Sequence, residues 1–232
     1  MEKRRVITQI GSLPYDNVKD AVKYSLKHDI PFLPELPLLG DSMLDYIKNP
    51  GMLSCLDEFS RAVKGNELVK VQCVGPITLI QEGYEEDDAI RRCYQHISSI
   101  LDKLDVKETI LFLDEPALGQ SGMDFFRLWA PLFASFNIVS GVHVCGNMDW
   151  DKLFNSPIKI ISHDSSQYDI TKYPRYRNGK RIAWGINRKE DIKDFREGDL
   201  LTLPCGIGSK LFCVEDAERS LEMLVKVRDA EE

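Results

Sequence analysis

Gly141-Val-His143-Val-Cys145-Gly146 sets an imidazole and a thiol two residues apart near the end of an apolar run. On a strand, residues i and i+2 point to the same face, so both groups can approach one ion. Cys205 ends a later run, is followed by Gly-Ile-Gly, and offers a second thiolate from a neighbouring wall. Asp164 ends another run and offers a carboxylate. One imidazole with two soft thiolates favours zinc among the common ions. Spacing alone leaves a plainer reading open, in which His-x-Cys is coincidence and Cys205 a buried filler. His163, beside Asp164, stands as a ligand, an outer partner of the ligands or a solvated strand-end residue. The other cysteines read as structural, with Cys73 mid-strand and Cys55, Cys93 and Cys213 in or beside helices. His28 and His96 fall in helices with no polar neighbourhood.

The elements that must position these groups are short apolar runs alternating with amphipathic stretches. The runs are Val6–Ser12, Pro31–Leu36, Leu68–Val74, Thr109–Asp114, Ile138–Cys145, Ile158–Asp164, Arg181–Ile186 and Leu200–Cys205. They are continuous rather than alternating, which suits strands buried on both faces. Helical spacing follows at Asp16–Lys27 behind an Asp cap, and at Asp41–Val63, broken at Asn49-Pro50-Gly51. Ile77–Leu104 is the longest helical region, with a break at Gly83; Asp124–Ala134 and Val214–Val227 are further helices, and Asp151–Asn155 and Asp191–Phe195 single turns. The alternation predicts an α/β fold, a single (β/α)8 TIM barrel of minimal length with short connections and one domain over 1–232. A doubly wound open sheet is the alternative, weakened because no G-x-G-x-x-G opens the first helix. Ser12, Glu35, Asp114-Glu115, His143, Cys145, His163-Asp164, Asn187 and Cys205 all fall at the C-terminal ends of runs, the face where barrel active sites lie.

The 232 residues carry 30 Lys+Arg against 37 Asp+Glu, a net charge of −7 that argues against nucleic acid as a partner. No run of 18 apolar residues predicts a membrane span. Six cysteines without a secretion signal point to reduced thiols in a cytoplasmic protein.

Five short segments occur in a familiar order: Ile10-Gly-Ser-Leu-Pro14, Gly75-Pro-Ile-Thr78, Leu113-Asp-Glu-Pro-Ala-Leu118, His143-Val-Cys145 and Pro204-Cys-Gly206. Together they resemble the catalytic C-terminal barrel of cobalamin-independent methionine synthase, over nearly the whole chain. The resemblance implies a zinc-dependent methyltransferase acting on homocysteine, with zinc on His143, Cys145, Cys205 and an acidic residue that falls on Asp164; a one-residue shift selects His163 instead. It also implies that homocysteine is held by Ile10, Ser12, Glu35 and Asp114, and that no catalytic residue is needed beyond the metal centre. Two carboxylates can hold an α-ammonium group, and the Gly11–Ser12 turn can present donors to an α-carboxylate.

Two departures bear on the methyl donor. The folate-using enzymes of that family carry a second N-terminal barrel and pterin loops, for which this chain has little room. They also place an acid–base histidine where this chain has Asn187. Methylcobalamin, or a methylated corrinoid protein, is therefore the expected donor, because its leaving group needs no general acid. The spelling His143-Val-Cys-Gly-Asn147 is also similar to zinc methyltransferases of the uroporphyrinogen-decarboxylase-like group, which take methyl groups from corrinoid proteins.

Three other readings remain. Coenzyme M as acceptor would want a basic pocket rather than Glu35 and Asp114. A porphyrinogen decarboxylase needs N-terminal arginines, and the early ones here are Arg4 and Arg5, before the first run. A non-catalytic zinc or corrinoid-protein binding module is the third. Lys172–Arg181 is a basic stretch that reads as a solvated turn or as a docking edge, and Gly206-Ile-Gly-Ser-Lys210 as a tight turn or a weak anion loop.

Overall fold

Residues 5–230 are described by a computed structural model; the basic N-terminus through Arg4 lies outside the described residues. The strands are β1 (Val6–Ile7), β2 (Leu68–Val74), β3 (Glu108–Asp114), β4 (Val139–Val144), β5 (Ile160–Asp164), β6 (Arg181–Gly185) and β7 (Leu200–Thr202). All pair in parallel, in the order β1-β7-β6-β5-β4-β3-β2. The helices are α1 (Val18–Ser25), α2 (Met43–Tyr46), α3 (Leu56–Ala62), α4 (Pro76–Gln81), α5 (Glu86–Leu101), α6 (Phe125–Ser135), α7 (Trp150–Phe154) and α8 (Val214–Asp229). No helix among the described residues is long and apolar enough to cross a membrane.

The expected closed barrel of eight regular strands is corrected to a seven-stranded sheet. The run Pro31–Leu36 forms no regular strand. Pro31 and Pro34 lack the N–H that a continuous ladder needs. The segment still touches both edges of the sheet, through isolated parallel bridges from Phe32 to Lys70 and from Ser12 to Glu35. Leu33 N donates to Lys70 O at 2.9 Å, and Glu35 N to Gly11 O at 2.8 Å. The sheet is therefore curled, with β1 and β2 both reaching one segment.

Strand alternation divides the core in two. Ile10, Ile30, Ile110, Phe112, Ile160, Ala183 and Leu200 form a small cluster inside the curl. Leu111, Leu113, Val142, Val144, Ile161, Ile182, Trp184 and Leu201 face outward and pack with the helices in the larger cluster. Both faces thus bury apolar side chains, as continuous rather than alternating runs require. Gly141 belongs to this arrangement, since a Cβ there would meet the Phe112 ring at 2.4 Å.

Local signals explain most boundaries. Asn17, rather than the expected Asp16, caps α1, accepting from Lys19 N and Asp20 N. Gly83, at φ 94°, breaks the long helical region into α4 and α5. The connection after β5 holds only a 3₁₀ turn, Ile170–Lys172. After β6 the turn is Lys189–Asp191, slightly before the expected Asp191–Phe195.

In the basic stretch Lys172–Arg181, Lys172 and Arg175 are exposed, but Arg177 is not part of a solvated turn. Arg177 is buried, and its guanidinium pairs with Asp199, Nη1 at 2.8 Å and Nη2 at 2.6 Å. Asp199 also accepts from Ile182 N, Trp184 Nε1 and Arg196 N, tying β6 to the loop before β7. Removing one partner of such a pair strands the other's charge. Asp199→Ala is expected to cost about 3–5 kcal/mol, the usual range for breaking a buried pair; an unchanged urea midpoint would show the pair to be dispensable.

Candidate metal centre

The C-terminal ends of β4 and β7 bring three ligating atoms together. His143 Nε2 lies 3.1 Å from Cys145 Sγ, and Cys145 Sγ lies 3.5 Å from Cys205 Sγ. The three ligand atoms all fall within 4.8 Å of one another. His143 is buried, Cys145 half-buried and Cys205 exposed, so the group opens to solvent on its Cys205 side. The other imidazole nitrogen, Nδ1, lies 3.0 Å from Ser162 Oγ on β5. That contact fixes the ring and leaves Nε2 facing the thiols.

The two thiols shift each other in opposite directions. The Cys205 thiol is pulled down to about 4 by the Cys145 thiol and by His143. Cys145 is pushed up, first by its hydrogen bond to Cys205 and then by burial.

The acidic residue is placed differently. Asp164 follows Ser162 by two positions and shares its inward face. Its Oδ1 accepts from Ser166 N at 2.9 Å and Ser166 Oγ at 2.6 Å, and its Oδ2 from Gln167 Nε2 at 2.5 Å. It caps this turn and is not among the three grouped ligands. His163 points the other way, with ring centroids of Trp150 and Trp184 each 5.7 Å away. It is fully buried, and burial lowers it to about 3. It is therefore neither a ligand nor a solvated strand-end residue.

Next to the thiols sit two buried carboxylates. Asp114 ends β3, directly across from His143 in the β3–β4 register. Burial raises it to about 6, against the pull of His143 and Lys70. Glu35 is bridged to Ser12, and burial, then Asp114, raise it well above the usual carboxylate range. Glu35 Oε1 and Asp114 Oδ1 are buried with no hydrogen-bond partner. The Ile10 side chain belongs to the inner cluster, which leaves only its backbone for a ligand. Ser12 lies under the turn after Cys205: Ile207 N donates to Ser12 O at 2.9 Å, and a Cβ on Gly208 would come within 2.0 Å of Ser12 Oγ. Gly206-Ile-Gly208 is thus the tight turn that closes over Ser12.

Lys70 and Gln72, on the same inward face of β2, complete this floor and were missed by the sequence reading. Lys70 is fully buried and lowered to about 8 by desolvation, against the pull of Asp114 and Glu35. The signal was present in Leu68-Val-Lys-Val-Gln72, where two polar residues two apart interrupt an apolar strand. Glu115 points away from the site; it accepts from Thr78 N, Thr78 Oγ1, Ile77 N and Trp129 Nε1 and anchors the start of α4.

A dish of about 500 Å³ lies at the opposite end of the sheet, lined in part by Asp29, Glu67, Arg181 and Asp199. Asp29 is paired with Arg228 and Asp199 with Arg177, so the dish is held by its own charges. The chain matches no model of a known protein family and no curated protein sequence.

Proposed function

We propose that the protein is a zinc-dependent methyltransferase that moves a methyl group to a small thiol, with homocysteine as acceptor, methionine as product and a methylated corrinoid as donor. The observation that carries the reading is the meeting of His143, Cys145 and Cys205 beside two buried carboxylates with unpartnered oxygens. The finer fold reading, a (β/α)8 barrel with a degenerate second strand, is supported by the bridges that Phe32 and Glu35 make to both sheet edges.

The donor set fits zinc. Bonds of about 2.0–2.3 Å in a tetrahedron put neighbouring ligand atoms roughly 3.3–3.8 Å apart, close to the 3.1 and 3.5 Å spacings here. Three protein ligands leave one position for substrate, the arrangement of catalytic rather than structural sites. Bound there, zinc supplies Lewis-acid activation of a thiol, lowering its pKa so that it is nucleophilic at neutral pH.

The chain's own residues do the rest. Glu35 and Asp114 offer acceptors to the substrate ammonium. Gly11 N–H is taken by Gln72 Oε1 at 2.6 Å, so the Ser12 N–H and hydroxyl are the donors left on that turn for the carboxylate. A sulfonate acceptor such as coenzyme M would meet the same two carboxyl groups, with the nearby Lys70 ammonium already held on Gln72 Oε1 at 2.8 Å. Thiol ligands of this kind persist in a reducing compartment, which favours a cytoplasmic location.

The test is a methyl-transfer assay with homocysteine, comparing methylcobalamin and methyl-tetrahydrofolate, with metal measured on the same sample. Protein holding stoichiometric zinc but methylating no thiol from either donor would replace this reading with that of a binding module.

A further inference from the structure

We infer that Gln72 is a positioning residue, oriented by Gly11 and Lys70, that holds Glu35 for recognition of an ammonium group on the substrate. The inference rests on the thiol-acceptor reading and concerns how the site selects among thiols.

Gln72 is buried in β2, and its amide has one possible orientation. Gly11 N lies 2.6 Å and Lys70 Nζ 2.8 Å from Gln72 Oε1. A backbone N–H and an ammonium can only donate, so the amide oxygen must face them. Nε2 is therefore turned to Glu35 Oε2, at 3.0 Å. Among the described residues this is the one hydrogen bond to the Glu35 carboxylate. The backbone of Glu35 is fixed in turn by its bridge to Ser12.

Gln72 also keeps Lys70 off Glu35. The Lys70 ammonium ends on the glutamine oxygen and lies 4.9 Å from the centre of the Phe112 ring. Without the intervening amide, the buried cation would pair directly with the carboxylate and close the pocket to a second cation. With it, Glu35 Oε1 and Asp114 Oδ1 are left buried and unpartnered. Buried polar atoms are almost always satisfied, and exceptions call for an explanation. Two carboxyl groups stand here against one ammonium, and that ammonium is held on Gln72 Oε1. A ligand ammonium brings several N–H donors to the two free oxygens and a charge that favours the ionised carboxylates; an anionic head group brings neither.

Direct binding tests this. Zinc-loaded protein is titrated calorimetrically with L-homocysteine and with 4-mercaptobutyrate, which keeps the thiol, chain length and carboxylate but lacks the ammonium. Wild-type protein is expected to prefer homocysteine by at least about 100-fold, the scale of two charge-assisted hydrogen bonds. Gln72→Met should cut that ratio at least about 10-fold by weakening homocysteine alone, with zinc content and 4-mercaptobutyrate affinity unchanged. Gln72→Asn keeps the amide but is one methylene too short to span Gly11 and Glu35, and should do the same. A merely structural role would weaken both thiols alike. That outcome, or an unchanged ratio in both variants, overturns the inference and leaves the methyl-acceptor reading standing. Failure of wild-type protein to bind either thiol overturns that reading and the inference with it.

Discussion

Cys145→Ser and Cys205→Ser are each expected to purify without stoichiometric zinc and to lose methyl transfer. A hydroxyl replaces a soft, charged ligand with a hard, neutral one, so softness and charge are lost together. The fall in metal affinity should exceed the about 10–100-fold that an outer partner of a ligand is worth. Ser162→Ala supplies that comparison, because Ser162 touches His143 Nδ1 and not the ion's place. The contrast with the buried cysteines is equally sharp. Cys73 and Cys93 are fully buried, and both thiols lie 3.2 Å from Val74 O. A serine there keeps the hydrogen bond and loses apolar contact, so Cys73→Ser and Cys93→Ser should lower the melting temperature while zinc stays stoichiometric. Metal analysis and thermal unfolding on the same preparations separate the two classes. Stoichiometric zinc retained by Cys205→Ser would show that the ligand set is wrong.

The grouping of His143, Cys145 and Cys205 was legible because it follows from strand alternation, whereas Asp164, expected with them, is not in the group. His-x-Cys at a strand end fixes a shared face without any knowledge of the fold, and Cys205 falls at a corresponding end. The run Leu68–Val74 matches β2 to the residue because turn-forming residues bound it on both sides. Other features needed the register or a competing local signal. His163 and Asp164 are neighbours, so one must point outward, and only the pairing of Ser162 with His143 across β4 and β5 says which. Asp164-Ser-Ser-Gln167 also carries its own turn chemistry, an Asp accepting from the residues just after it. That local bond competes with any role of the carboxylate as a ligand. The apolar character of Pro31–Leu36 predicts a strand, but its prolines remove the donors a regular strand needs, leaving bridges. Lys70 and Gln72 were hidden because a run read as buried on both faces leaves no place for a polar pair. Inside a curled sheet, such a pair is possible where it has partners.

The donor preference is the second large effect. Transfer to homocysteine from methylcobalamin, or from a methylated corrinoid protein, should exceed transfer from methyl-tetrahydrofolate by at least about 100-fold, since general-acid help is commonly worth 10²–10⁴. A folate leaving group must be protonated on nitrogen, whereas a departing corrinoid needs no proton. Asn187 is exposed just past β6, its N–H donating to Asp191 Oδ2 at 2.8 Å, and an amide cannot transfer a proton at neutral pH. The chain has four histidines. His143 is a proposed ligand, His28 is buried just past α1 with Nε2 3.2 Å from Gln9 Oε1, His96 is buried in α5, and His163 is enclosed by Trp150 and Trp184 on the outer face. Burial lowers His28 to about 4 and His96 to about 3, so neither holds a proton near neutrality. None of the four is placed to serve as the acid. Asn187→His should leave methylcobalamin turnover nearly unchanged, because that reaction has no use for an acid, and it should not create folate activity without a pterin pocket. Initial rates with both donors, at matched zinc content, decide the matter. Wild-type turnover of methyl-folate at or above the methylcobalamin rate would defeat the inference from Asn187, and the acid would then have to be a carboxyl group rather than a histidine.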